Sequence, residues 1–588
     1  MAALPSRVPH LLGNTGLARF DAVVIGSGCG GAPVAWLLAL HGLDVCMLEA
    51  GPNYFEGLDD PAPGRPVSRF SSDEIKLSAR ELIQQQARVE PRSYRSSAAD
   101  GARSYVGEVN SLPKTVGGGF VHADCKTPRF QEFDFRLGTL LGDLPGASFA
   151  DWPLDYAELE PYYAAAERLI GVQGLAGADP HAAWRSGPYP MPPGPDMYVA
   201  RVLGEGARKL GLHPFPYPGA ITSRDYRGRP PCNDCGFCSG FGCPIHAKGS
   251  PAVTYLRDAL LSGRLQLRCN ATATRVLTDA SRGRATGVAY LDPEGRAAEL
   301  RADRVVLAAS PIESARLCLL SDPGGPGLGN SSGLLGRNLM FHHQTVSIGI
   351  YRQRFHGERG RSVTSGITDF RGVPRDPARP LGGIVEFGTS SRKISDEVSS
   401  AMLRMRLRGD ALRAWLRDSP LGAHNAALIL QGEDAPQLDN RVDLDPELRD
   451  IHGLPIPRIT YRAHAFELEA RRVYAPKLMQ LHQAAGAQFA FVAPPSGPQS
   501  PPDSRHVLGT LRMGRDPKRS VTDTFGRFHE LENLYATDGS LLPTSSGYNP
   551  TLTIQALALR AAAAMVAPRN PLAALARAEA GVPGRARD

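Results

Sequence analysis

Residues 20–51, FDAVVIGSGCGGAPVAWLLALHGLDVCMLEAG, constrain the fold of this chain more than any other stretch. The short β-branched run at 22–25 suits a buried parallel strand, and the apolar segment at 33–40 suits a helix packed on the same sheet. Between them stands Gly26-x-Gly28-x-x-Gly31, and a second apolar run at 45–48 ends in Glu49. In such a unit the first glycine makes a tight turn, the second lets the backbone approach a pyrophosphate, and the third lets helix and strand pack closely. The helix N-terminus then faces the anion, and Glu49, twenty-three residues after Gly26, is placed to accept hydrogen bonds from an adenosine ribose. A lone glycine motif says little. Strand, turn, helix, strand and acid in this order predict a Rossmann-like dinucleotide site, without separating FAD from NAD.

At 588 residues the chain is long enough for two or more domains and needs no disulfides to stay folded. Charged residues at 21% and hydrophobic ones at 42% describe an ordinary globular protein. No run approaches the ~18 apolar residues of a membrane span, so no transmembrane segment is expected. The opening MAALPSRVPHLLGNTGLARF has no apolar core with a cleavage site and no twin arginine. The expected location is therefore the cytoplasm, or the periplasm if a partner carries the chain out. A formal charge of +7 spread among acidic residues gives nucleic-acid binding no support. The Pro/Gly-rich stretches at 185–195 and 493–502 read as loops, and 571–588 as a short helix fading into a loose tail.

Further motifs resemble the glucose-methanol-choline (GMC) family of FAD oxidoreductases. Thr115-Val116-Gly117-Gly118-Gly119 is similar to that family's VGG-S loop near the flavin. HVLGTLRMG at 506–514 and SVTDTFGRFHELENLYATDGSLLPTSSGYNPTLTIQALALR at 520–560 resemble its closing signature. The strand-like RVVLAA at 304–309 resembles its VVLAAG segment, with Ser310 where glycine is usual. VGGGFVHADCKTPRF at 116–130 is similar to the branch holding pyranose 2-oxidase and the flavoprotein subunits of gluconate and sugar dehydrogenases. The resemblance implies an α/β protein with a discontinuous Rossmann-like FAD-binding domain and a substrate domain of antiparallel sheet plus helices. The implied parts are 20–135 and 246–335 for the FAD domain, and 136–245 for a connection carrying a Cys-rich loop at 232–243. Residues 336–500 are assigned to substrate binding and 501–570 to a C-terminal FAD and catalytic segment.

Alcohol oxidation needs a base for the hydroxyl proton and a flavin for the hydride, and histidine suits the first task. The resemblance places His506 as that base and Asn549 as the donor to the same oxygen. It also places Gly117, Gly118, Asp538 and Gly539 against the flavin. His122 stands where pyranose oxidase attaches FAD covalently, but Ala123 replaces the usual tryptophan, so a histidine without that link is the other reading. The implied reaction is oxidation of a sugar, polyol or related alcohol, with electrons passed to a cytochrome or small-subunit redox partner. An oxygen-using oxidase of long-chain or sterol alcohols is the alternative enzyme, and a non-catalytic flavin-binding electron carrier the alternative of another class.

Four of the nine cysteines, Cys232, Cys235, Cys238 and Cys243, fall within twelve positions. Disulfides would be strained in so short a loop, and zinc ribbons use two separated CxxC pairs. Iron–sulfur proteins use C-x2-C-x2-C-x3-C-Pro runs, and here the last gap is one residue longer. The sugar-dehydrogenase branch carries a related insertion that binds a [3Fe–4S] cluster, whereas long-chain alcohol oxidases show a similar GFGCP stretch with no need of one. An iron–sulfur cluster, structural thiols and zinc all remain open at this point.

Overall fold

The computed structural model describes residues from 10 to 582 with gaps, the longest covering 71–88, 389–397 and 495–503. Its central sheet is assembled from distant parts of the chain. In spatial order the strands are Leu11–Gly13, Leu265–Cys269, Val45–Glu49, Ala22–Ile25, Val305–Leu307 and Leu534–Ala536. All but the first run parallel. Every residue of Ala22–Ile25, Val45–Glu49 and Val305–Leu307 is buried, as expected of strands covered on both faces. Helix Ala32–Leu40 is apolar all round and packs between helices Tyr255–Leu261 and Thr551–Val566. The FAD-type domain is thus discontinuous, with strands from near residues 22, 265, 305 and 534.

A second sheet is wholly antiparallel, in the order Phe489–Val492, Thr345–Ile350, Asn425–Leu430, Val385–Gly388, Val363–Ile367 and Phe215–Pro216. Helices Ala465–Ala484 and Tyr198–Lys209 pack on it around Leu203, Phe387, Leu428 and Leu478. The sheets cut across the boundaries read from sequence. Phe215–Pro216, in the 136–245 connection, forms an edge of this sheet. Arg441–Arg449 and Pro455–Thr460, inside 336–500, instead join Arg92–Arg95 in a separate four-stranded sheet. Apolar alternation marks a strand but not its neighbour, so such assignments are invisible to pattern reading. The loop read at 493–502 lies largely outside the described residues. Helix Pro571–Ala580 occupies the start of the expected tail. No single helix among the described residues is long and apolar enough to cross a membrane.

Ser310 explains why glycine is usual at its position. It lies between strand Val305–Leu307 and helix Pro311–Leu320 with φ +76 and ψ 156, a region that essentially only glycine enters without strain. The turn is held by Ala308 N donating to Ile25 O at 2.8 Å and by the proline that starts the helix. Replacing Ser310 with Gly should relieve about 1–3 kcal/mol of strain and forfeit about 0.5–1 kcal/mol through the freer unfolded chain. A net gain of about 1 kcal/mol in denaturant unfolding is therefore expected for S310G, and a loss of that size would show the serine to be unstrained.

Candidate active site

The carboxyl ends of the parallel strands open into one cavity of about 560 Å³, the position where open α/β sheets bind ligands. Gly26, Gly28, Glu49, Gly118, His122, His506, Asp538, Gly539 and Asn549 all line it. Residues from opposite ends of the sequence thus share one space. Gly31 and Gly117 lie outside the lining and act through the backbone. A Cβ on Gly31 would fall 2.0 Å from Gly26 O, so this glycine lets helix and strand close up. Gly117 has φ +89, which shapes the second glycine loop. Gly28 differs from both, because an added Cβ would meet nothing in the protein closer than Gly118 Cα at 3.6 Å. Packing does not demand a glycine there, so the bare Cα leaves room for a pyrophosphate to approach the backbone.

The polar residues at this end do more local work than their motif roles suggest. Glu49 accepts from Ser27 N at 3.0 Å and Ser27 Oγ on one oxygen, and from Gly51 N at 2.8 Å on the other. Burial raises its pKa, and these donors oppose the rise. Ser27 Oγ also accepts from Gly117 N at 3.0 Å, so one hydroxyl joins the acid to both glycine loops. Asp538 accepts from Ser314 Oγ at 2.6 Å and caps its own turn through Ser540 N at 2.9 Å. Gly30, a position to which the motif gives no role, must be small. Its Cβ would lie 2.7 Å from Thr537 O and 2.8 Å from Asp538 Cα.

At the far end His506 is paired with a histidine that no motif announced. His342 Nε2 lies 3.1 Å from Ser545 O, which can only accept, so that nitrogen carries the proton. His342 Nδ1 is then an acceptor, and His506 Nδ1, 2.7 Å away, must be its donor. His506 is left with its lone pair on Nε2. Burial pulls the His342 pKa down to about 4. Burial, the His342 ring and the Lys126 ammonium hold His506 well below the ordinary value. Both rings are therefore neutral near pH 7.

Asn549 is clamped at both ends of its amide. Its Nδ2 donates to Glu386 Oε1 at 3.0 Å, and its Oδ1 accepts from Tyr217 OH at 2.5 Å. The amide cannot flip without breaking both, which leaves one Nδ2 hydrogen uncommitted to Glu386. Glu386 is fully buried, ion-paired with Lys126, and accepts from Gln431 Nε2 at 3.0 Å. His342, Tyr217, Glu386 and Lys126 escaped sequence reading because none stands at a fixed spacing from the motif residues. The doublet His342-His343 was the one local signal available.

The Cys-rich loop forms part of the same wall. Ser239 and Gly240 line the cavity, and Gly240 N donates to His122 O at 2.8 Å. Buried Lys248 fastens the loop, its Nζ lying 2.7 Å from Ala123 O and 2.9 Å from Phe241 O, and also bonding Cys238 O. Cys238 is buried, Cys232, Cys235 and Cys243 are half-buried, and none is in a disulfide. The expected ligand set is not drawn around one point: among the described residues no three of these sulfurs lie within 4.8 Å of one another. A single zinc ion with bonds of about 2.3 Å would require that, so the zinc reading does not fit. The loop is shaped instead by Lys248 and by the edge-to-face pair Phe237 and Phe241, whose ring centroids are 5.5 Å apart. Burial pushes the Cys232 thiol up to about 12 and Cys238 well above its ordinary value.

Comparison with known proteins agrees with this architecture. Two family models, both described as GMC oxidoreductase, match residues 192–344 and 436–558. The 2-methyl-1,2-propanediol dehydrogenase of Mycolicibacterium austroafricanum is 30% identical, covering 93% of this chain and 95% of its own. The fructose dehydrogenase large subunit of Gluconobacter japonicus is 29% identical, covering 93% and 97%. Among solved structures, pyridoxine 4-oxidase from Mesorbium loti superposes with a TM-score of 0.61 over 92% of this chain and 97% of its own, at 18% identity, a likeness of fold.

The two glycine loops should respond differently to a methyl group. A Cβ on Gly118, at φ +64, would lie 2.6 Å from Gly28 Cα, so Gly118→Ala should cost at least about 1–2 kcal/mol of stability. Gly28→Ala should fold normally and lose most of its bound dinucleotide. Thermal unfolding and flavin absorbance of the two purified variants separate these effects, and an unaltered flavin content in G28A would remove the role given to Gly28.

Proposed function

The chain belongs to the GMC oxidoreductase family of FAD enzymes, and we propose that within it His506 and Asn549 act on the hydroxyl of a polyhydroxylated substrate, a sugar or polyol. The family reaction is FAD-dependent oxidation of an alcohol CH–OH group. Gly28, Glu49 and Gly118, which line the cavity at the strand ends, would hold FAD, and the cofactor would supply the acceptor for the hydride leaving the alcohol carbon.

The observation that carries the catalytic assignment is the ordered chain from Ser545 through His342 to His506. It leaves His506 Nε2 unprotonated, as a base must be, and low basicity keeps it so across the neutral range. On taking the hydroxyl proton, the ring becomes an imidazolium whose Nδ1–H is already shared with His342. Asn549 meets the same oxygen with the amide hydrogen that Glu386 does not hold, in an orientation set beforehand by Tyr217 and Glu386. Beside this pair the cavity is lined by Gln344, Gln431, Lys126 and Asp124. Such side chains suit additional hydroxyls better than a long apolar chain or a sterol, and relatives named for a propanediol and for fructose favour the same class. The ordered proton positions also weigh against a non-catalytic electron carrier.

For the acceptor we favour a redox partner over oxygen. One relative is named as a large subunit. Ser239 and Gly240 bring the Cys-rich loop to the cavity wall, which supports reading that loop as the electron exit. Cys232, Cys235, Cys238 and Cys243 would be the ligands of an iron–sulfur cluster, which interposes iron and sulfide and so spaces its thiolates more widely than one ion does. Such a cluster supplies a one-electron exit. Its positive irons would offset the burial that now keeps the thiols protonated. Iron and acid-labile sulfide should copurify with the flavin and vanish in Cys238→Ser, and iron-free protein that passes electrons to a cytochrome at full rate would eliminate the cluster.

His506→Ala should slow anaerobic flavin reduction by about 10²–10⁴-fold, and Asn549→Ala by about 10²-fold. The pH profile carries the sign of the shift. A base with a lowered pKa is lost only as pH falls through that lowered value, so the acid limb of kcat/KM should lie below the ordinary histidine pKa of about 6.5. Reduction of H506A at the wild-type rate, or an acid limb above that value, would overturn the assignment.

A further inference from the structure

Away from the cavity, three chain segments converge on a group that alcohol oxidation does not use. His181 lies in the connection after helix Tyr156–Ile170, His213 just before edge strand Phe215–Pro216, and Asp369 just after strand Val363–Ile367. One nitrogen of each histidine and one oxygen of the aspartate all lie within 4.8 Å of one another. His213 Nδ1 is 2.8 Å and His181 Nε2 is 3.7 Å from Asp369 Oδ1. Ligand atoms on a tetrahedral ion with bonds of about 2.1 Å stand about 3.4 Å apart, a value these two distances bracket.

The group is held in place from behind. Asp369 Oδ2 accepts from His213 N at 3.1 Å, which turns Oδ1 toward the two rings. His181 N donates to Asp179 Oδ1 at 3.0 Å, and Thr368 Oγ1 donates to the same oxygen at 2.6 Å. The carbonyl of His181 accepts from Gln131 Nε2 at 2.9 Å. Two carboxylates, Asp179 and Asp369, are therefore brought together, and among the described residues neither has a lysine or arginine as ion-pair partner. Among the described residues the ion-pair partners of Asp369 are the two imidazoles. Two nitrogen donors and a carboxylate with no thiol suit late first-row divalent ions better than calcium or magnesium, which take oxygen ligands.

We propose that His181, His213 and Asp369 bind a zinc-type divalent cation that clamps the connection to the edge of the substrate sheet. The ion takes its remaining positions from water, since the His181 and His213 side chains are 42% and 56% exposed. The clamp has a route to the catalytic segment. Gln131 Nε2, which holds His181 O, also donates to Tyr548 OH at 2.7 Å, and Tyr548 precedes Asn549.

Equilibrium dialysis of the flavin-loaded enzyme against zinc tests the site, with His181→Ala/His213→Ala and Asp369→Asn as comparisons. Zinc taken up by the loop thiols is common to all three proteins, so the difference isolates this cluster. Wild type should bind one more zinc per chain than either variant, and zinc should raise the Tm of wild type alone. Equal stoichiometry in wild type and the double-histidine variant would overturn the proposal, as would full retention by D369N. Unchanged flavin content and alcohol oxidation without added zinc would show that the variants fold.

Discussion

Everything at this site depends on one strand being paired on both sides. Val305–Leu307 lies between Ala22–Ile25 and Leu534–Ala536, in register with both. Parallel pairing sends all three chains out at the same edge, so the turns at Gly26, Ser310 and Asp538 emerge side by side. The joints are main-chain bonds: Gly26 N to Leu48 O at 2.8 Å, Ala308 N to Ile25 O at 2.8 Å, and Thr537 N to Leu307 O at 2.9 Å. A segment more than five hundred residues from the first glycine is thereby placed against it, with Thr537 Oγ1 donating to Gly30 O at 3.0 Å. Because every such turn leaves little room, the small residues at 26, 30 and 31 follow from strand spacing as much as from a ligand.

Behind the histidine pair stands a second layer that gives the proton arrangement its permanence. The carbonyl that fixes His342 belongs to Ser545, whose hydroxyl donates to Glu433 at 2.9 Å and accepts from Asp434 N at 2.8 Å. Glu433 is paired in turn with fully buried Arg371, which also holds Asp134. Burial lifts the Glu433 carboxyl to about 7, with Arg371 pulling the other way. Buried charges of this kind contribute little net stability but resist rearrangement, since moving one strands the others in a low-dielectric interior. The orientation of His506 is thus maintained by groups that never reach the cavity.

The parts legible in the sequence were those in which one short segment carries both the pattern and the job. The glycine turn at 26–31 and the strand at 304–309 are of this type, and the segments holding His506 and Asn549 were legible as motifs that the fold brings to one cavity. Hidden parts join residues hundreds apart through side chains whose identities are individually unremarkable. Tyr217 reaches Asn549, Lys126 reaches Glu386, and His342 reaches His506, each pairing fixed by strand order rather than by spacing along the chain. The cysteines illustrate the converse limit. Their spacing is compact in sequence, yet Phe237, Phe241 and Lys248 decide how the loop curls.

Lys248 grips that loop through peptide oxygens alone, at residues 121, 123, 238 and 241. Every amino acid offers the same oxygen, so the anchorage is blind to side-chain identity. Other holds on the loop do read side chains: Asp234 is ion-paired with Arg361, and Asp234 N donates to Cys232 Sγ at 3.4 Å. Exchange of a cysteine leaves the four oxygens around the Lys248 ammonium untouched.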